Sequence, residues 1–288
     1  MDRGPLKVWP EFPRPVLIGL ILLAAAASLG WSERTTRFVA WSAVEFMPTD
    51  LARQVRRNHR RFDAGIERGL QAPLPWRVAS PGKLSEALQA AVDRCAEDLS
   101  RPVPLEDLVE ELGVLAVRIL DANDPLAVGH DDPREGRYGL AYLEYVDSIL
   151  GRVRLVYYGQ HPQLRERREV KAALRRTFLR SGLLYGNIGE EFFRTGRLRD
   201  WKTFDDRSVA FGVAGVSLSR GLTDFASIFG WVWHQGGGMT TPPRPTPRGH
   251  FGPTVILAPK LDGGFEDREQ QGRGSSAMGG GGLALPPP

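Results

Sequence analysis

The chain has 288 residues, 42% hydrophobic and 25% charged, with one cysteine, five histidines and a formal net charge of +4. Such a balance belongs to a foldable globular protein of one or two domains, not to a disordered chain. A single cysteine excludes an internal disulfide framework and a cysteine-rich zinc site, and the small net charge argues against a surface generally coated by nucleic acid.

In chain order, Arg3, Lys7 and Arg14 precede an apolar run from Val16 to Leu29, and small residues Ala24 to Ser28 follow its bulky half. The run is shorter than the roughly 20 residues that span a bilayer. Residues 1–30 therefore read as a secretory signal peptide cleaved after Ala27 or after Gly30, with an uncleaved N-terminal anchor as the alternative. The expected location is periplasmic, extracellular or anchored in the envelope. The lone Cys95 fits export, because it cannot form an internal bridge. At the far end, Gly236 to Pro288 holds 13 glycines and 9 prolines in 53 residues. It reads as a flexible tail, with Thr254 to Leu257 as its one strand-like segment. The intervening residues, 31–235, carry 30 basic and 28 acidic groups, a net charge of only +2.

Periodicity in this middle part is helical. Leu51, Val55, His59, Phe62, Ile66 and Leu70 mark one face of a single helix, with Asp50 as its N-cap and His59 as a core residue. Leu84, Leu88, Val92, Cys95 and Leu99 form a second stripe, which makes Cys95 a core residue. Leu105, Leu108, Leu112, Leu115 and Ile119 form a third, widened by Ala116 and Leu120 into a helix buried on more than one side. Tyr138, Tyr142, Tyr145 and Ile149 mark a fourth helix, and Leu164 to Leu184 a charged amphipathic fifth. Ser208 to Trp233 is long and apolar, but Arg220 and Asp224 near its centre, at (i, i+4), make it a core helix and not a membrane span. Arg152 to Tyr157 alternates like a strand and stands isolated before Gly159. The expected fold class is all-α, a compact multi-helix domain.

The segment LGVLAVRILDANDPLAVGHDDPREGRY, Leu112 to Tyr138, resembles the bacterial zinc-dependent phospholipase C and single-strand nuclease superfamily. Members carry a helix reading roughly L-G-x-x-x-H-x-x-x-D, followed by an N-x-P-L-H turn. A His and an Asp four residues apart lie on one helix face and can share metal ions. The resemblance implies three zinc ions that activate water against a phosphodiester bond. It also implies a mature chain beginning with Trp, whose amine and carbonyl bind zinc; cleavage after Gly30 would place Trp31 first. The block from Ser208 to Trp233 looks like the long closing helix of bacterial members.

Departures from that pattern decide the functional expectation. Thr36 occupies the place of the first-turn His, Val117 that of the His before Asp121, and Ala127 that of the His in the turn. On the following helix Ala141 and Tyr145 fall near the positions of a further His and carboxylate, and Glu144 is the nearest acid. Valine and alanine carry no metal donor, and threonine is not an ordinary zinc ligand. The expectation is a non-catalytic, exported member of the superfamily, with no cofactor, that acts as an envelope binding or scaffolding module. The alternative is an active phosphodiester hydrolase, on phospholipid or single-stranded nucleic acid, with zinc in a rebuilt site of Trp31, Asp121, Glu144 and a relocated His. A third reading is an exported helical domain whose resemblance is accidental. An ordinary role for Asp121 is pairing with Arg118 or capping the turn at Asn123 to Pro125.

Of the other histidines, His130 lies in a G-H-D-D-P loop where it could join Asp131 and Asp132 around a cation or cap the next helix; His161 reads as a turn residue, His234 as the end of the Trp-rich helix, and His250 as tail. The acidic pairs Glu110–Glu111, Asp131–Asp132 and Glu190–Glu191 read as solvated faces. Arg53, Arg56, Arg57, Arg60 and Arg61 crowd one helix opposite its apolar stripe. They are a candidate patch for an anionic membrane surface or another envelope component. No aromatics interleave with them, so nucleic acid is not the expected partner.

Overall fold

A computed structural model describes residues 30–72, 81–129, 131–161, 164, 170–238 and 254–256. The apolar run at 16–29, His130, His250 and most of the Gly/Pro-rich segment lie outside them. The protein is all-α. Among the described residues there are nine helices: α1 (Glu33–Val44), α2 (Thr49–Arg57), α3 (His59–Gln71), α4 (Pro81–Leu99), α5 (Leu105–Ala122), the single turn α6 (Pro125–Val128), α7 (Glu135–Ile149), α8 (Val170–Phe192) and α9 (Val209–Gln235).

Helix α5 is the centre. Leu108, Val109 and nearly every residue from Leu112 to Ala122 are buried, as the doubled apolar stripe requires. It packs most extensively on α3, with α4, α8 and α9 around the remainder. The α3–α5 crossing is unusually close because Gly65 faces Gly113. A Cβ at Gly65 would sit 1.9 Å from the Glu110 carbonyl oxygen, and one at Gly113 would sit 2.3 Å from the Phe62 carbonyl oxygen. The glycines let the two backbones touch, and Phe62 and Ile66 then reach the core completely.

Four sequence expectations change, the first being that Asp50, expected as an N-cap, lies in the first turn of α2 behind Pro48. The stripe from Leu51 to Leu70 is two helices, broken at Asn58 (φ −105°, ψ 33°), whose Nδ2 donates to the Gln54 carbonyl at 3.0 Å. His59, placed in the core by its spacing, is exposed beside that break. The strand at Arg152 to Tyr157 is not isolated either. Leu155–Tyr157 (β1) pairs antiparallel with Thr254–Ile256 (β2), Leu155 opposite Ile256, so a piece of the Gly/Pro-rich segment returns to the domain. Gly159, at φ +88°, turns the chain out of β1.

Helix α9 is the core helix its two charges implied, buried on most sides from Ala210 to Val232 and packed against α8, α1, α5 and β1. No helix among the described residues is long and apolar enough to cross a membrane. Cys95 is buried in the core, and burial, then the nearby Glu111 and Asp98, push its thiol up to about 12.

Candidate functional site

Among the buried polar clusters of the described residues, two gather side chains from several elements around one carboxylate, and the sequence pointed to one of them. The first surrounds the start of the described chain. Trp31 is 3% exposed; its indole Nε1–H donates to the Leu120 carbonyl at 3.1 Å, and its ring lies 6.4 Å from that of Tyr142. Ser32 caps α1 by accepting from the Thr35 amide, and both hydroxyls donate to Asp147 Oδ1 on α7, at 2.5 and 2.6 Å. These bonds fix the entry of the chain. They bring Gly30 so close to Asp121 that a Cβ on it would lie 2.7 Å from the carboxylate. Trp31 and Asp121 are thus neighbours.

The other positions do not complete a metal site there. Val117 is packed against Gly69 of α3, Ala127 is buried, Thr36 Oγ1 is buried with no hydrogen-bond partner, and Glu144 is exposed on α7. Tyr142, rather than Ala141 or Tyr145, meets Trp31. Burial, and then the Asp124 carboxylate, hold its phenol far above the usual range. The side chains present do not fit a zinc cluster: valine and alanine offer no donor, and among the described residues no three His, Cys, Asp or Glu side chains converge. Asp124 caps the turn, its Oδ1 accepting from the Leu126 amide at 2.9 Å. Arg118 lies beside Arg94, Glu111 and Cys95.

The second corner was not anticipated. Asp224 on α9 is 2% exposed and accepts from four groups that belong to other elements. His161 Nε2, in the loop after β1, meets Oδ1; Thr177 Oγ1 of α8 donates to Oδ2 at 2.5 Å; Arg180 Nη2 donates to Oδ2 at 3.3 Å; and Asn123 Nδ2, which follows α5, donates to Oδ2 at 3.2 Å. Burial alone would raise this carboxyl. The hydrogen bond and charge of His161, then the charge of Arg180, hold it below the ordinary aspartate value. Arg220, one turn before it on α9, makes no ion pair with it.

His161 is delivered by a ladder of hydroxyls one turn apart on α9. The backbone N–H groups of Val156, Tyr158 and His161 donate to Ser219 Oγ (3.0 Å), Thr223 Oγ1 (3.1 Å) and Ser227 Oγ (3.4 Å). The outer edge of β1 is thereby paired with a helix, and β2 takes the other edge. The signal available in the sequence was this Ser219–Thr223–Ser227 spacing on the face that also carries Asp224.

Elsewhere, the five arginines of the candidate patch are all exposed but divided between α2 and α3. Arg53 pairs with Asp50 (3.2 Å), Arg56 with Glu45 (2.8 Å) and Arg61 with Glu110 (3.1 Å), which leaves Arg57 and Arg60 without an ion pair among the described residues. Glu191, read as solvated, is buried on Arg199 and accepts from the Val209 amide at 3.4 Å. Asp132 accepts from the Arg134 amide at 2.9 Å and so opens α7, while Asp131 is exposed. A cavity of about 570 Å³ lies between α4, α8 and Trp231, and one of about 250 Å³ between α4 and α5; neither reaches Asp121 or Asp224. No protein-family model, curated protein or solved structure matches the chain.

Proposed function

We propose that the chain is an exported, non-catalytic helical module related to the zinc-dependent phospholipase C and single-strand nuclease superfamily, which works by binding or scaffolding in the cell envelope. One observation carries the reading. Trp31 and Asp121, the residues kept from the superfamily pattern, are neighbours, while the places of the lost ligands hold packed or donor-less side chains (Val117, Ala127, Thr36). A corner of that kind retains the scaffold of a metal site and lacks its chemistry. The module has no cofactor in this reading, and its partner is an anionic membrane surface or another envelope component.

Elemental analysis of the purified mature protein, with hydrolysis assays on phospholipid and single-stranded nucleic acid, tests it. The expected outcome is less than one zinc per chain and no chelator-sensitive hydrolysis. Two or more zinc ions per chain, with an activity that Asp121→Ala removes, would refute it in favour of a phosphodiester hydrolase with a rebuilt site at Trp31 and Asp121.

A further inference from the structure

Among the described residues, the Asp224 corner sets two arginines near one buried carboxylate. Arg180 spends one nitrogen, Nη2, on Asp224 and Thr177; its Nε is buried with no hydrogen-bond partner among the described residues. Arg220 sits one turn before Asp224 on α9, so both point from the same helix face. It is only partly buried, and it makes no ion pair or side-chain hydrogen bond with a described residue. Burial, and next the like charge of Arg180, lower its pKa, which places the two guanidinium groups in one another's field. His161 uses Nε2 on Asp224 and is 14% exposed, so it adds a second ring nitrogen at the rim. One carboxylate, already accepting from four groups, faces two arginines and a histidine.

Like charges close together repel, an anion that joins them relieves that cost, and the planar guanidinium fork matches the oxygens of phosphate. Tyr158, half exposed, stands near Arg220, and Leu179 and Leu183 on α8 flank Arg180, 57% and 79% exposed. We propose that Arg180 and Arg220, braced by Asp224 and His161, form a binding site for a phosphate-class oxyanion, free or carried as a lipid head group. The proposal gives the envelope-binding reading its ligand class; it stands apart from the zinc question, because no residue of the Trp31–Asp121 corner takes part.

The full mature chain is titrated with inorganic phosphate by calorimetry, and separately co-sedimented with vesicles of phosphatidylglycerol or of phosphatidylcholine. The expected result is saturable binding to phosphate, to phosphatidylglycerol vesicles or to both, weakened at least tenfold by Arg220→Ala. Arg220 makes no ion pair or side-chain hydrogen bond with a described residue, so its variant should still fold, and melting both proteins separates lost binding from lost folding. Leu179→Ser with Leu183→Ser distinguishes the sources: it abolishes vesicle binding if the anion is a head group and leaves phosphate binding unchanged. Absence of saturable binding to either probe, or binding that Arg220→Ala changes by less than twofold, overturns the proposal. Zinc-free protein that fails here sinks the anion site alone; zinc-loaded, hydrolytic protein sinks the non-catalytic reading alone.

Discussion

Replacing Gly65 with alanine places a methyl group 1.9 Å from the Glu110 carbonyl oxygen, 2.9 Å from its carbon and 3.0 Å from the Gly113 Cα. All three are backbone atoms of α5, so no side chain can swing aside. Restoring ordinary contact requires α3 to retreat by about 1.5 Å, because carbon contacts reach their optimum only near 3.5 Å. Phe62 and Ile66, both completely buried, retreat with it. A gap of about 0.5–1 Å forfeits a quarter to a half of each atomic contact, and a large buried side chain makes some 40–60 of them at about 0.1–0.2 kcal/mol. The loss at this interface is about 4 kcal/mol, against roughly 1 kcal/mol gained from alanine's helix propensity. Net destabilisation of about 3 kcal/mol corresponds to a fall of roughly 6–12 °C in Tm for a folded part of this size. Urea unfolding followed by far-ultraviolet circular dichroism measures it. Gly113→Ala should cost a similar amount, and the double variant less than the sum, since one retreat accommodates both methyls. Gly182 of α8 is the internal control: a Cβ there meets nothing within 4 Å, so Gly182→Ala should stabilise by about 0.5–1 kcal/mol. If Gly65→Ala unfolds within about 0.5 kcal/mol of the parent, the close crossing is wrong.

Asp224→Asn keeps the shape of the corner and removes its negative charge, leaving Arg180 and His161 without a carboxylate. It should cost about 3 kcal/mol near neutral pH. The folded carboxyl is depressed, so its stabilisation is complete above the unfolded aspartate value of about 3.9 and is lost as pH falls through the lower folded value. The gap between parent and variant in urea midpoint should therefore narrow on going from about pH 6 to about pH 2.5, and a constant gap would contradict the hydrogen-bonded geometry. Cys95, with its thiol at about 12 instead of 9.0, has roughly a thousandfold less thiolate near pH 8. A disulfide reagent should label the folded protein correspondingly more slowly than the urea-unfolded chain; equal rates would place Cys95 at the surface. Trp31→Phe keeps an aromatic ring but removes the donor to the Leu120 carbonyl and part of a buried indole, so it should destabilise by at least about 1–2 kcal/mol in the same assay.

Most of the long helices were legible because their stripes are long and their faces unambiguous, and the doubled stripe of α5 marked it as buried on more than one side; α1 (Glu33–Val44) was not read from the sequence. The break at Asn58 was not legible, since a 4, 4, 3, 4, 4 spacing continues across it unchanged. Periodicity reports which residues share a face and is blind to one residue leaving the helix. Only Asn58 itself, a residue whose side chain competes for nearby backbone groups, hinted at it, and it bonds the Gln54 carbonyl in that way. Strand β1 had the right alternation, but its partner lies about a hundred residues on, in a segment whose composition argues for disorder. Pairing between such distant segments leaves no local trace. The same holds for Asp224. Its donors come from Asn123, His161, Thr177 and Arg180, the first of them 101 residues away. A buried aspartate on an apolar helix guarantees that donors exist, but not which they are.

The frame that prompted the superfamily reading is made largely of residues with packing work to do. Gly113 permits the crossing with α3. Asn123 bridges the Ile119 carbonyl, at 3.0 Å, to Asp224. Pro125 starts the α6 turn where its missing N–H costs nothing, and Leu112 and Leu126 are core. None of these tasks involves a metal, so packing alone accounts for L-G, N, P and L at these places. The ligand positions face a different demand. A histidine at 117 or 127 would be buried in an apolar interior, where a polar ring without a partner is destabilising, whereas Val117 and Ala127 fill the space without that cost. Asp121 differs from them as a buried carboxylate at a place where an alanine would pack. Its closeness to Gly30 ties its role to the start of the folded chain. If cleavage after Gly30 makes Trp31 the first residue, the new ammonium forms beside Asp121 and supplies the positive charge that a metal would otherwise bring.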